Sequence, residues 1–491
     1  MRNYILLGLI IHLWLLRLLC SAAEFDTPDE RTASYWMKQA QQQLAERLAR
    51  TRHLTDNRVA KNIVFLLGDG LSITTVTAAR ILKGQRMGHS GEESRLAVEN
   101  FTYAGLSKTY CTDSQTADSA CTATAYMSGV KTNMGAIGQS ASGEHVEPIT
   151  LWAQRAGKAT GIVTTTRLTH ASPAGAYAHV PRRSQELDIA RQLLEQEPGR
   201  QFHVILGGGL GKFASERSDG RNLIQQWHDA HPGGCFVRSL SELQACRVGN
   251  GSVLGVFNDN HMAYHLAAPK DQPRLCDMTK AAIEHLSAAS PNGYYVFIEG
   301  GRIDHGHHET RAGYALDETL EFDAAVETAA RLTDEQDTLI VATSDHSHTL
   351  SLAGYAKRGT SILGQDDSNR DTNGVPYSIL NYAVGKWQSL NKAGKRENPG
   401  PHLRETSFTP SYIRGKTGVH AGEDVAVFAQ GPQAHLFSGI MEQNLLPHLM
   451  SYAACLGDGT TVCQKQRREQ LSLNATAENP NKTSKLVPAG A

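Results

Sequence analysis

Six short apolar runs punctuate the chain, at residues 63–67, 161–165, 202–206, 294–298, 338–342 and 425–429. Stretches of helical period separate them, so tight turns do not connect them directly. Runs apolar on both faces, alternating with helices, predict buried parallel strands. The predicted fold class is therefore α/β, with a mainly parallel central sheet and helices on both faces. Ahead of the first run, Trp36, Ala40, Leu44 and Leu48 recur every four residues among Gln, Lys and Arg. That spacing predicts an amphipathic helix over 29–53, an N-terminal arm packed either across a neighbouring copy or on its own domain. Residues 354–417 break the alternation. They are rich in Gly, Asn, Lys, Pro and Ser, and read as an inserted surface subdomain.

The ends of the chain change the picture of its compartment. Arg2 precedes an apolar run from Tyr4 to Leu19, and small residues Ser21, Ala22 and Ala23 follow. Residues 1–23 read as a secretory signal peptide. No later stretch is long and apolar enough to span a bilayer. Residues 464–491 are polar and read as a disordered tail without the hydrophobic segment of a lipid-anchor signal. The expectation is a secreted protein with no membrane anchor. With 491 residues, 40% hydrophobic, 20% charged and a net charge of −1, the chain is an ordinary globular protein. Near-neutral charge gives no ground for a nucleic-acid partner.

An extracellular setting makes cysteines and sequons informative. Eight cysteines are present and Cys20 lies in the signal, so one of the remaining seven has no intrachain partner. Cys455 and Cys463 bracket a short loop and are expected to form a disulfide. So are Cys111 and Cys121, which enclose Asp118 and Ser119. Cys235 and Cys246 are a plausible local pair, although the sequence alone does not fix their pairing with Cys276. Candidate glycosylation sites are Asn100, Asn250, Asn474 and Asn481.

Chemistry gathers where the predicted strands end, which is where open α/β sheets bind ligands. Asp69 follows the first run. His170 and Ser172 follow the second. Glu299, Asp304, His305 and His308 follow the fourth, and four residues between Asp304 and His308 place both on one helical face. Asp345, His346 and His348 follow the fifth, and His420 precedes the sixth. Any one of these could be a cap or a surface residue; several at equivalent sheet positions point to metals. The segment 117–126 reads as a helix opening near Asp118 and Ser119, a place that favours phosphate.

The motifs FLLGDG, ADSACTATAY, TTTRLTHASPAGAYAH, FIEGGRIDHGHHE, ATSDHSHTLSLAGY and GVHAGEDVAVFAQGP together resemble metazoan, insect-like alkaline phosphatases, over roughly residues 61–463. The resemblance implies a three-layer catalytic domain with a crown-like insertion. It implies a homodimer that hydrolyses phosphate monoesters through a phosphoserine on Ser119. It implies two Zn²⁺ and one Mg²⁺ per subunit. By motif position, one zinc would take Asp304, His308 and His420. The other would take Asp69, Asp345 and His346, and magnesium would take Asp69, Ser172 and Glu299. Arg183 matches the phosphate-clamping arginine, with Arg182 beside it. His170, His305 and His348 match histidines lining the site. Asn258 stands where relatives have an acidic calcium ligand, and the loop after Gly211 is short, so Ca²⁺ is not expected. A sulfatase would need a Cys/Ser-x-Pro-x-Arg segment, which Asp118-Ser119-Ala120 does not offer. An inactive secreted scaffold would be expected to lack a ligand, and none is missing.

Overall fold

The computed structural model describes residues 28–51, 54, 56–249 and 251–466. The signal segment, Asn250, Asn474, Asn481, two residues at the end of the expected arm and nearly all of the tail lie outside the described residues.

The strands are, in chain order, β1 (Asn62–Gly68), β2 (Tyr103–Lys108), β3 (Ala159–Arg167), β4 (Val204–Gly208), β5 (Cys235–Val237), β6 (Val253–Val256), β7 (Tyr294–Gly300), β8 (Thr338–Ser344), β9 (Ser347–His348), β10 (Leu350–Leu352), β11 (Gln365–Asp366), β12 (Tyr377–Ser378), β13 (Leu380–Gly385), β14 (Ser411–Arg414), β15 (His420–Ala421), β16 (Val425–Gln430) and β17 (Gly439–Glu442). Ten of them form one sheet in the order β17-β2-β16-β8-β1-β7-β3-β4-β6-β5. All its pairings are parallel except those of β16, which runs antiparallel to both β8 and β2. All six apolar runs lie wholly or mostly in sheet strands.

Strand β1 is central and buried on both faces. Ile63, Phe65 and Leu67 join one apolar layer with Tyr126, while Val64 and Leu66 join the opposite layer with Leu286. This is the two-residue alternation of a strand read against two helical layers. Each such fully buried side chain contributes about 1.5–3 kcal/mol. Register sets the site: Leu67 stands opposite Glu299 on β7 and Thr343 on β8, and Gly68 opposite Gly300 and Ser344. Thr164 on β3 also faces Glu299. Strands β1, β7 and β8 therefore end level, with Thr164 of β3 beside them, and the residues at these ends converge.

The helix Ala33–Arg50 is capped by Thr32, whose side chain accepts from Tyr35 N. Its stripe Trp36, Ala40, Leu44 and Arg47 is buried on its own chain. Trp36 packs with Val130 and Val146. Arg47 donates to the carbonyls of Leu436 (3.1 Å) and Ile440 (2.8 Å), and also to that of Ser438. The apolar face of the expected arm is thus covered within its own chain. Near the insertion, β10, β13 and β14 make a separate three-stranded sheet, and β11 pairs with β12. Disulfides join Cys111 to Cys121, Cys235 to Cys246 and Cys455 to Cys463; Cys276 is free. Among the described residues no helix is long and apolar enough to cross a membrane.

Candidate active site

Ser119 opens the helix Ser119–Ser128, and Asp118 is its N-cap. The Asp118 carboxylate accepts from Cys121 N and from Gly135 N, both at 3.1 Å. Every residue of this helix is buried, which explains its small side chains. A Cβ on Gly175 would come within 2.6 Å of Ala123 Cβ, so glycine there lets the turn carrying Ser172 approach the Ser119 helix. Gly129 ends the helix at φ 76°, the left-handed region that glycine favours.

Ser119 Oγ lies 3.3 Å from His346 Nε2 and 3.5 Å from Asp69 Oδ2. Ser172 Oγ is also 3.5 Å from Asp69 Oδ2. Around them are three clusters with metal-ligand spacing: Asp304, His308, His348 and His420; Asp69, Asp345 and His346; and Asp69, His170 and Glu299. Asp69 belongs to two of them. The structure thus brings together the predicted metal residues, and it adds His348 to the first group and His170 to the third.

These residues fit metal ions on three counts. First, Oδ1 of Asp69, Oε1 of Glu299 and Oδ2 of Asp345 are buried without a hydrogen-bond partner. Buried orphan carboxylate oxygens are costly unless a cation meets them. Second, the Nδ1 atoms of His308, His348 and His420 face the carbonyls of Gly418 (2.8 Å), Val419 (3.1 Å) and Ala117 (2.7 Å). A carbonyl only accepts, so each Nδ1 carries the proton and each Nε2 keeps a lone pair for a ligand, the arrangement that orients metal-binding histidines. Third, His308 Nε2 and His420 Nε2 then point lone pairs at each other across 2.9 Å. Two acceptors at that distance call for a cation between them.

Electrostatics agree. Burial, together with the neighbouring Asp345 charge, raises the Asp69 carboxyl well above its ordinary range. Burial pushes Glu299 up to about 7 and Asp345 up to about 6. Asp304 is the exception: burial acts to raise it, but His308 and His348 hold it well below the usual carboxylate range. Thr164 and Thr166 both donate to Glu299, the latter at 3.2 Å.

On the opposite side Arg183 Nη1 donates to Asp118 Oδ2 at 3.1 Å, and its Nη2 lies 2.9 Å from His170 Nε2. Arg182 is exposed, so Arg183 is the arginine that turns inward. His170 packs edge-on to His305, with ring centroids 5.3 Å apart.

Comparison with known proteins now bears on the geometry. A family profile described as Alkaline phosphatase matches residues 60–456. The chain belongs to the alkaline phosphatase family. It is 41% identical to the tissue-nonspecific alkaline phosphatase of Gallus gallus, over 97% of both chains. It is 39% identical to the membrane-bound alkaline phosphatase of Bombyx mori, over 88% of this chain and 87% of that one. Vertebrate and insect relatives are about equally similar, so the insect-like character expected from the motifs is not distinguished. Among solved structures, the alkaline phosphatase of Thermus thermophilus superposes with a TM-score of 0.65 at 26% identity, covering 85% of this chain and 96% of that one. That of the Antarctic bacterium TAB5 gives 0.63 at 26% identity, covering 82% and 100%. The family's reaction is metal-dependent hydrolysis of phosphate monoesters, and this alkaline phosphatase is a phosphoric monoester hydrolase.

Sequence reasoning missed residues that the fold delivers to the rim. His261, on the loop after β6, meets His305 with ring centroids 4.3 Å apart. No motif marks it. Arg302 was visible inside EGGR, two residues before Asp304, but nothing in the spacing gave it a role. His307 is buried, with Nε2 3.0 Å from Thr75 Oγ1 and Nδ1 2.7 Å from the Tyr382 hydroxyl. It ties the helix carrying Asp304 and His308 to β13 of the small sheet.

Proposed function

We propose that this alkaline phosphatase cleaves phosphate monoesters through a covalent phosphoserine on Ser119. The observation that carries this reading is Ser119 Oγ at the N-terminus of a buried helix, within 3.5 Å of both Asp69 and His346. Asp304, His308 and His420, with His348 behind them, would hold one Zn²⁺; Asp69, Asp345 and His346 a second; and Asp69, Ser172 and Glu299 an Mg²⁺, with His170 close by. Histidine-rich groups suit zinc and the oxygen-rich group suits magnesium. Bound there, the three ions supply Lewis acidity to the phosphate, the nucleophile and the leaving oxygen.

The chain's own groups do the rest. Arg183 grips two phosphate oxygens with its planar fork, and Asp118 and His170 fix the fork's direction. Ser119 Oγ, oriented by the first turn of its helix, attacks phosphorus. The phosphorus–oxygen bond to the alcohol breaks on the side opposite Ser119, and the alcohol departs with a proton. Water then attacks phosphorus along that same line and releases Ser119 Oγ and inorganic phosphate. Rapid acid quenching during turnover, followed by peptide mapping, should yield a phosphopeptide containing Ser119. An unmodified Ser119 peptide under saturating substrate would refute the covalent step.

We further infer a secreted, glycosylated homodimer. Asn100 is exposed in the sequence Asn-Phe-Thr. Tyr412 and Ile413 project from β14 at the edge of the small sheet with about three-fifths of their surface exposed (62% and 61%), which suits a second copy better than water. Light scattering at micromolar concentration tests the dimer.

A further inference from the structure

Beside the phosphate end lies a group of cationic and donor side chains with too few acceptors. Arg167 and Arg183 each have a carboxylate, Glu186 at 2.7 Å and Asp118 at 3.1 Å. Arg302 has none within ion-pair distance among the described residues. Its guanidinium lies over the Tyr264 ring, 3.8 Å from the centroid, its Nη1 is 2.7 Å from His305 Nδ1, and its Nε is buried without a partner. A guanidinium with no carboxylate in direct contact, beside a phosphate site, has donors to spare.

His261 shows the same deficit. Its Nδ1 accepts from the Arg167 backbone N–H at 3.1 Å. A neutral imidazole has one acceptor nitrogen, so Nε2 carries the proton, yet it abuts Arg167 Nη1, another donor. The rings of His170, His261 and His305 touch one another edge-on, and His261, Arg302 and His305 are all partly open to solvent. Clustered donors, each partly open to solvent, need a multivalent acceptor, and phosphate oxygens match a guanidinium fork.

We propose that Arg302 and His261 form a second anion subsite beside Arg183, which favours phosphate esters whose alcohol carries a further phosphate. The proposal rests on the phosphatase reading above. One phosphate sits at Ser119 and Arg183, and the other fills the acceptor deficit at the rim.

The test is a matched pair, ethylene glycol bisphosphate against ethyl phosphate, whose reacting ester bonds are alike. Wild-type kcat/KM should favour the bisphosphate, and the preference should shrink as salt is raised. In Arg302→Met the ratio of the two kcat/KM values should fall by about tenfold, as for one lost charge-assisted contact. Arg302→Lys should retain part of the preference, and His261→Leu should lose part of it. A wild type with no salt-sensitive preference would overturn the subsite even if every variant failed to fold. So would an equal loss on both substrates in Arg302→Met, which would mean that Arg302 only positions His305. A wild type that hydrolyses neither ester would instead count against the phosphatase reading itself.

Discussion

His346 and His420 stack face to face, ring centroids 3.6 Å apart and 23° from parallel, although each belongs to a different ligand cluster. Their contact means that the two histidine-bearing clusters share a wall and are not independent sites. Removing metal should therefore affect both together. A chelator should abolish activity and lower the unfolding temperature, because buried carboxylates such as Asp69 and Asp345 lose their counter-charge. Zn²⁺ plus Mg²⁺ should restore both. Above the dissociation constant, each tenfold rise in free ion should add about 1.4 kcal/mol per site. Calorimetry across a metal-buffer series checks this; an unfolding temperature indifferent to metal would contradict the ligand assignment.

Asp118 has two jobs that one substitution can separate. It caps the Ser119 helix through Cys121 N and pairs with Arg183. Asp118→Asn keeps an acceptor for the cap but loses the charge. It should change stability by a few tenths of a kcal/mol while raising KM for phosphate esters, since Arg183 is freed. Asp118→Ala should cost about 1 kcal/mol or more in addition, the usual loss of an N-cap. Urea midpoints read beside KM for both variants decide it; equal stability losses would show that the cap is unimportant.

The sheet was legible because its central strands are apolar on both faces, a pattern with few competing explanations. Strands β2 and β17 were not, since Tyr103–Lys108 and Gly439–Glu442 lie at one margin of the sheet and mix exposed with buried positions. Nor was β5, three residues long at the other margin. The site was legible as far as its residues lie at or just past strand ends, as Glu299, Asp69 and Asp345 do. His261 was not, because a histidine on an unpatterned loop carries no periodicity. The packing of the helix Ala33–Arg50 was equally hidden, since an amphipathic stripe says that a face is covered but not by which chain.

The disulfide Cys111–Cys121 fastens the loop before Ser119 to the first turn of its helix, and both cysteines pack with Ala117. Cys111→Ser should lower stability by about 2 kcal/mol, the low end for a loop this short. Activity should fall less than in Ser119→Ala, which removes the proposed nucleophile. Thermal unfolding of the variant, beside peptide mapping of the non-reduced wild type, checks both parts. Alkylation of Cys111 and Cys121 without prior reduction would end the proposal.

His448 sets a limit on stability in acid, away from the metals. Its ring packs against Trp152, centroids 5.8 Å apart, and its Nε2 is buried without a partner beside Gly129. Burial lowers its pKa to about 4, against about 6.5 in an unfolded chain. The depressed value fixes the sign. Above pH 6.5 the ring is neutral in both states and costs nothing. As pH falls from about 6.5 to 4 the unfolded chain takes up a proton that the folded one refuses, so stability declines, by at most about 3 kcal/mol. His448→Leu removes the titration and leaves an apolar group in an apolar setting. It should lose some stability at neutral pH through imperfect packing, yet show a flatter decline between pH 6.5 and 4 than the wild type. Acid effects on the metal ligands are common to both proteins and cancel in the difference. Urea midpoints measured at half-unit pH steps give the comparison, and parallel curves for the two proteins would show that His448 is not the group responsible.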